Sequence, residues 1–125
     1  MMTYDAFLWV ALGGALGSMA RFGLVNAVAA LVGATFPWGT LLVNVAGSFI
    51  IGLFSSLTAA GEFPHDLMEI RMFVLVGVCG GFTTFSSFSL QSVDLIQSDK
   101  LVRSALYLLS SVLLCLLAVA TGTAL

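Results

Sequence analysis

Gly77-Val78-Cys79-Gly80-Gly81-Phe82-Thr83-Thr84-Phe85-Ser86-Ser87-Phe88-Ser89 decides how this chain folds. It lies within residues 72–93, a stretch of 22 without a charge. That is enough for one crossing of a bilayer, which takes roughly 20 apolar residues. Gly-Gly followed by Thr-Thr is poor helix-forming sequence, so the pattern predicts a spanning helix broken at its middle. A break at that depth frees backbone N–H and C=O groups, and is tolerated only where protein or a water-filled cavity covers it. Freed carbonyls suit a cation and freed N–H groups an anion. Phe85 and Phe88 are three apart and share a helix face. Ring edges carry partial positive charge, so the pair could touch an anion without a formal charge. Lipid or core contact is the alternative reading.

Outward from this stretch, the charges mark the rest of the fold. There are only ten among 125 residues: Asp5, Arg21, Glu62, Asp66, Glu69, Arg71, Asp94, Asp99, Lys100 and Arg103. Residues 104–125 form another charge-free run of 22, and residues 22–61 one of 40. The longer run must contain a turn, and Gly33-Ala34-Thr35-Phe36-Pro37 is its turn-like stretch. Four spans follow, at about 4–32, 38–60, 68–97 and 101–124. The expected fold is all-α, a single four-helix transmembrane domain over residues 1–125, with 61–67 as its longest link. Hydrophobic residues make up 60% of the chain and charged ones 8%, and mean hydropathy is +1.14. Soluble domains are about a quarter charged. This composition excludes a soluble enzyme and a disordered chain. Four Lys+Arg against six Asp+Glu leave no basic footprint for nucleic acid.

No Lys or Arg precedes the first apolar run, and Asp5 has the wrong sign, so that run reads as a span and not a signal peptide. Trp9 and Trp38 suit either membrane interfaces or ordinary packing. Cys79 and Cys115 fall inside spans and read as small packing residues. His65, beside Pro64, reads as an exposed link residue. With four spans, both termini share a side with the 61–70 link and Arg71. The opposite side holds the 33–37 link, Lys100 and Arg103. One basic residue against two is a shallow orientation signal. It leaves room for insertion both ways, and hence for an antiparallel homodimer.

Buried polar groups are expensive in hydrocarbon and point to function. In the first span, Gly13 and Gly17 form a small-xxx-small pattern for close helix packing. Arg21 either snorkels to an interface or draws an anion. In the second span, Thr40, Asn44 and Ser48 recur every four residues and share one face. Asn44 offers two N–H donors and an acceptor; it is either interhelical glue or a donor on a pathway. Tyr107, Ser110 and Ser111 add weaker signals in the fourth span. Asp94 is the only acid near a span interior, and no hydrolase triad or metal motif occurs. The chain is not expected to be an enzyme.

Gly13-Gly14-Ala15-Leu16-Gly17-Ser18-Met19-Ala20-Arg21 resembles the opening of the CrcB/Fluc fluoride channels. Gly39-Thr40-Leu41-Leu42-Val43-Asn44-Val45-Ala46-Gly47-Ser48-Phe49 is similar to that family's second motif, and Gly77–Ser89 to its third. The likeness runs through essentially the whole chain, in order. It implies a passive, fluoride-selective channel giving fluoride resistance. It also implies an antiparallel, dual-topology homodimer with two pores in the cell's inner membrane. A structural sodium ion would sit at the dimer centre on the backbone carbonyls of Gly80 and Thr83. The fluoride pathway would be lined by Phe85, Phe88, Asn44 and Thr40, with hydroxyls from Ser86, Ser87 and Ser89. Tyr107, Ser111 and Arg21 would complete it. Fluoride, sodium, lipid and a second copy are the implied partners. Many members carry Glu where this chain has Gln91, which would have to act through its amide.

The residues themselves agree with that chemistry. A small hydrated anion needs donors to replace its water, yet must be held weakly enough to leave. Neutral hydroxyls, an amide and ring edges meet both needs. A central cation would offset the anion's desolvation. Two other classes compete. A four-helix dual-topology multidrug antiporter fits the size, but the first span carries no acid after Asp5. A non-transporting subunit would use these polar residues only for packing.

Overall fold

The computed structural model describes residues 4–59, 64 and 67–125. Most of the expected 61–67 link, with Glu62, His65 and Asp66, lies outside the described residues, as does Ala60 at the expected end of the second span. Every regular element is helical: α1 (Tyr4–Val32), α2 (Trp38–Leu57), α3 (Met68–Met72), a π-helical turn (Phe73–Val78), α4 (Cys79–Phe82), α5 (Phe85–Gln97) and α6 (Leu101–Ala124). Four stretches are long and apolar enough to cross a membrane: Tyr4–Val32, Trp38–Leu57, Met68–Gln97 and Leu101–Ala124. At about 1.5 Å per residue, each matches or exceeds a hydrocarbon core of about 30 Å. The chain is a multi-pass membrane protein.

The third span is not one helix. Its π turn is set by the Cys79 N–H, which donates to Val74, five residues back. Thr83 (φ −88°, ψ 158°) and Thr84 (φ −152°, ψ 114°) are then fully extended, and α5 starts afresh at Phe85.

Glycines let the broken span sit directly on α1. A Cβ at Gly13 would meet the Phe73 carbonyl oxygen, and one at Gly17 would meet that of Val78. The Gly13 and Gly17 pair therefore forms the α1 contact, the packing role read from the sequence. A Cβ at Gly122 would meet the Phe49 carbonyl, so α2 and α6 cross equally closely. Without a hydrophobic drive between helices in lipid, such backbone contacts carry association.

Links end the helices by identifiable means. Gly33, at φ +87°, closes α1. Pro37 (φ −79°, ψ 65°) makes an inverse γ-turn, and the Trp38 N–H reaches the Phe36 carbonyl at 2.8 Å. After α5, the Lys100 N–H bonds Leu95 O at 2.9 Å and the Asp99 N–H bonds Ile96 O at 3.1 Å. This is a Schellman cap with Asp99, φ +58°, in the left-handed position that glycine usually takes.

Candidate functional site

The break in the third span is held by side chains from two other helices. Asn44 Nδ2 donates to Thr84 O at 3.1 Å, and its Oδ1 accepts from the Thr84 N–H at 2.7 Å. One amide thus satisfies both freed backbone groups of one residue. Arg21 Nε donates to the Gly81 carbonyl at 2.9 Å, placing a cation at the C-terminal end of a helical half-span, where it is favoured. Thr83 caps its own half-helix, with its N–H and Oγ1 both on Cys79 O at 3.0 and 2.9 Å. Thr84 caps the next, its Oγ1 accepting from the Ser87 N–H at 3.1 Å.

The break also leaves carbonyls over. In a continuous helix the Thr84 N–H would bond Gly80 O, and the Ser87 N–H would bond Thr83 O. Both N–H groups are instead taken by side-chain oxygens, Asn44 Oδ1 and Thr84 Oγ1. The carbonyls of Gly80 and Thr83, the two residues that the family resemblance implies for a cation, are therefore among those that lose their helical partners at the break. Gly80 is exposed, and a Cβ there would meet nothing within 4 Å. At the same point α5 begins, presenting the positive end of its dipole.

One cavity lies at this junction and a second towards the far end of α5. The first, about 470 Å³, is lined by Asn44, Gly80, Thr83, Phe85, Phe88 and Ser111 among others. Phe85 is 78% exposed and Phe88 only 7%, with ring centroids 5.5 Å apart. Ser111 Oγ is buried without a protein hydrogen-bond partner, so its donor and acceptor capacity is free. The second cavity, about 320 Å³, is lined by Phe36, Thr40, Gln91, Asp94 and Lys100 among others. It lies where the 33–37 and 98–100 links meet. Tyr107 stands between the two, fully buried. Its ring meets those of Phe88 (5.1 Å, 60°) and Phe36 (5.5 Å, 82°). Its hydroxyl donates to Gln91 Oε1 at 2.8 Å.

The sequence-nominated residues thus divide. Asn44, Phe85, Phe88 and Ser111 share the first cavity with Gly80 and Thr83; Thr40, 2% exposed, lines the second. Ser86, Ser87, Ser89 and Arg21 line neither cavity. Ser86 Oγ lies 3.2 Å from Thr84 Oγ1, and Ser89 Oγ turns back to Phe85 O at 2.9 Å. The Ser89 hydroxyl thus bonds backbone, that of Ser86 pairs with a neighbouring side chain, and Ser87 enters the cap through its backbone N–H. Of the two readings of Asn44, the interhelical role is occupied, and one N–H remains beyond its two bonds to Thr84. Ser48, read from the sequence on the same face as Asn44, also lines the first cavity; Phe36, in a link without a motif, was not singled out.

The family model described as "CrcB-like protein, Camphor Resistance (CrcB)" matches residues 8–123. A protein of Methylobacterium radiotolerans named "Fluoride-specific ion channel FluC" is 49% identical over 122 residues, covering 97% of this chain and 84% of the relative. One of Opitutus terrae with the same name is 52% identical over 120 residues, covering 93% and 88%. A third, from Hahella chejuensis, is 46% identical over 124 residues, covering 99% and 96%. With likeness running end to end and a family model spanning nearly every residue, this chain belongs to the CrcB-like family.

Proposed function

We propose that the chain is a passive fluoride channel, and not an enzyme, like the relatives named for that activity. The observation that carries the reading is the broken third span. Its start of α5, its phenylalanine pair and the unpartnered Ser111 Oγ converge on one cavity that holds no formal charge. Fluoride entering there sheds water and needs donors in return. The Ser111 hydroxyl and the spare Asn44 N–H provide two, and the edges of Phe85 and Phe88 add weak positive potential. No lysine or arginine lines this cavity, so binding stays shallow enough for the ion to leave. Tyr107 and Thr40 extend the path towards the second cavity.

The working unit in this reading is an antiparallel homodimer with two pores, inserted in both orientations in the bacterial inner membrane, and it provides fluoride resistance. The large exposed apolar surface, including Phe85 and most of α1, supports a second copy as well as lipid. A sodium ion held by the Gly80 and Thr83 carbonyls of both copies fits the pair of carbonyls without helical partners. When bound it supplies positive charge near the anion path and ties the two breaks together.

The experiment is fluoride efflux from liposomes carrying the purified protein, read by a fluoride electrode with valinomycin present and chloride in parallel. Fast fluoride efflux with little chloride movement is expected. No fluoride efflux from a folded, reconstituted protein would overturn the reading.

A further inference from the structure

Phe36 sits in the short link between α1 and α2, yet its position is tightly set. The inverse γ-turn at Pro37 closes on its carbonyl, and its ring lies 4.6 Å from that of Trp38. So anchored, it meets the Tyr107 ring at 82°, with centroids 5.5 Å apart. The rings Phe85, Phe88, Tyr107 and Phe36 form one continuous row, with successive centroids 5.5, 5.1 and 5.5 Å apart. The row begins at the break and ends at the second cavity, which Phe36 and Gln91 both line.

Tyr107 is therefore held by the Phe88 and Phe36 rings and, at its hydroxyl, by Gln91 and Thr40. The second cavity, about 320 Å³, is large enough to take a displaced ring. We propose that Phe36 is a positioning residue for transport: it keeps Tyr107 from swinging into the second cavity, so that the Tyr107 hydroxyl stays on Gln91, which lines that cavity. With its carbonyl oxygen accepting from Tyr107, the Gln91 amide turns its N–H donors to the ion. The second cavity is then the outer mouth of the same path. This inference rests on the fluoride-channel reading.

The test compares wild type with Phe36→Leu, Phe36→Met and Phe36→Tyr in fluoride-loaded liposomes, alongside size-exclusion elution and thermal midpoint in detergent. Leu and Met keep apolar bulk but lose the ring; Tyr keeps the ring. Slack at an ion-recognising group is expected to slow fluoride efflux about tenfold or more in the Leu and Met variants. Phe36→Tyr should stay within about twofold of wild type, and all elution profiles should match. A purely structural role would instead lower the midpoint and the yield of folded protein together with flux. Wild-type rates in Phe36→Leu or Phe36→Met overturn the proposal, as does equal loss in Phe36→Tyr. Should one ringless variant fail to fold, the other decides. Absence of fluoride efflux from the wild type itself would remove the channel reading, and this inference with it.

Discussion

Asn44 and Thr84 form the junction on which the proposed path depends. The side-chain amide stands in for the helical neighbours that Thr84 lacks, and each of its two bonds is worth about 0.6–1 kcal/mol between membrane helices. Asn44→Ala leaves both Thr84 backbone groups without partners, and we expect a loss of about 1–3 kcal/mol in stability together with fluoride flux. Asn44→Asp should keep the acceptor for the Thr84 N–H but oppose the Thr84 carbonyl and repel an anion. Its fluoride efflux should therefore fall while it still folds better than Asn44→Ala, as unfolding in mixed detergent would read. At the phenylalanine pair, Phe85→Ile and Phe88→Ile preserve apolar volume without a ring edge. Fluoride efflux should drop in both with unchanged elution, and wild-type rates would remove these rings from the path.

At the scale of elements, the third span works because its two halves are capped from different sources. Thr84 caps α5 through Ser87, so Thr84→Ala should cost about 1 kcal/mol, with Thr84→Ser restoring most of it in the same unfolding assay. The α1 contact has no such tolerance. A side chain at Gly17 would enter the Val78 backbone, and Gly17→Val should abolish a folded species on size exclusion. The α5–α6 cap points the other way. Asp99 holds a left-handed conformation that glycine adopts without strain, so Asp99→Gly should be neutral or stabilising by up to about 1 kcal/mol.

The whole molecule is mostly unburied. Of the 29 residues of α1, only Ala6, Gly13 and Gly17 are buried, and Leu12, Leu16, Met19 and Phe22 are all more than half exposed. Lipid or a partner must cover this surface, and the shallow balance of Arg71 against Lys100 and Arg103 suits a chain that inserts both ways. Adding two lysines near the N-terminus should fix one orientation, readable by accessibility of a C-terminal tag. If the unit is antiparallel, that variant alone should fail to protect cells from fluoride, while co-expression with an oppositely biased variant should restore protection. Full protection by the single-orientation variant would argue against the antiparallel dimer.

Much of this architecture was legible in the residues alone. Charge gaps delimit spans because a charge in hydrocarbon is costly, and Gly80-Gly81 before Thr83-Thr84 signals a break because such residues form helix poorly. Both are local effects, present in the chain whatever it packs against. The assignment of hydroxyls was not local. Ser86 and Ser89 have the same chemistry as Ser111, yet their hydroxyls pair with Thr84 Oγ1 and Phe85 O at the break, while Ser111 Oγ is buried at the cavity without a partner. Which hydroxyl stays unsatisfied depends on how α5 and α6 pack. Phe36 belongs to the same class. One aromatic residue in a turn acquires its place in the ring row only when Tyr107, 71 positions later in the chain, is brought against it. Hydropathy and backbone propensity are properties of segments, so the sequence by itself determined spans, break and turns. Contacts between distant segments exist only in the folded chain, and these decided which polar groups and rings meet at the path.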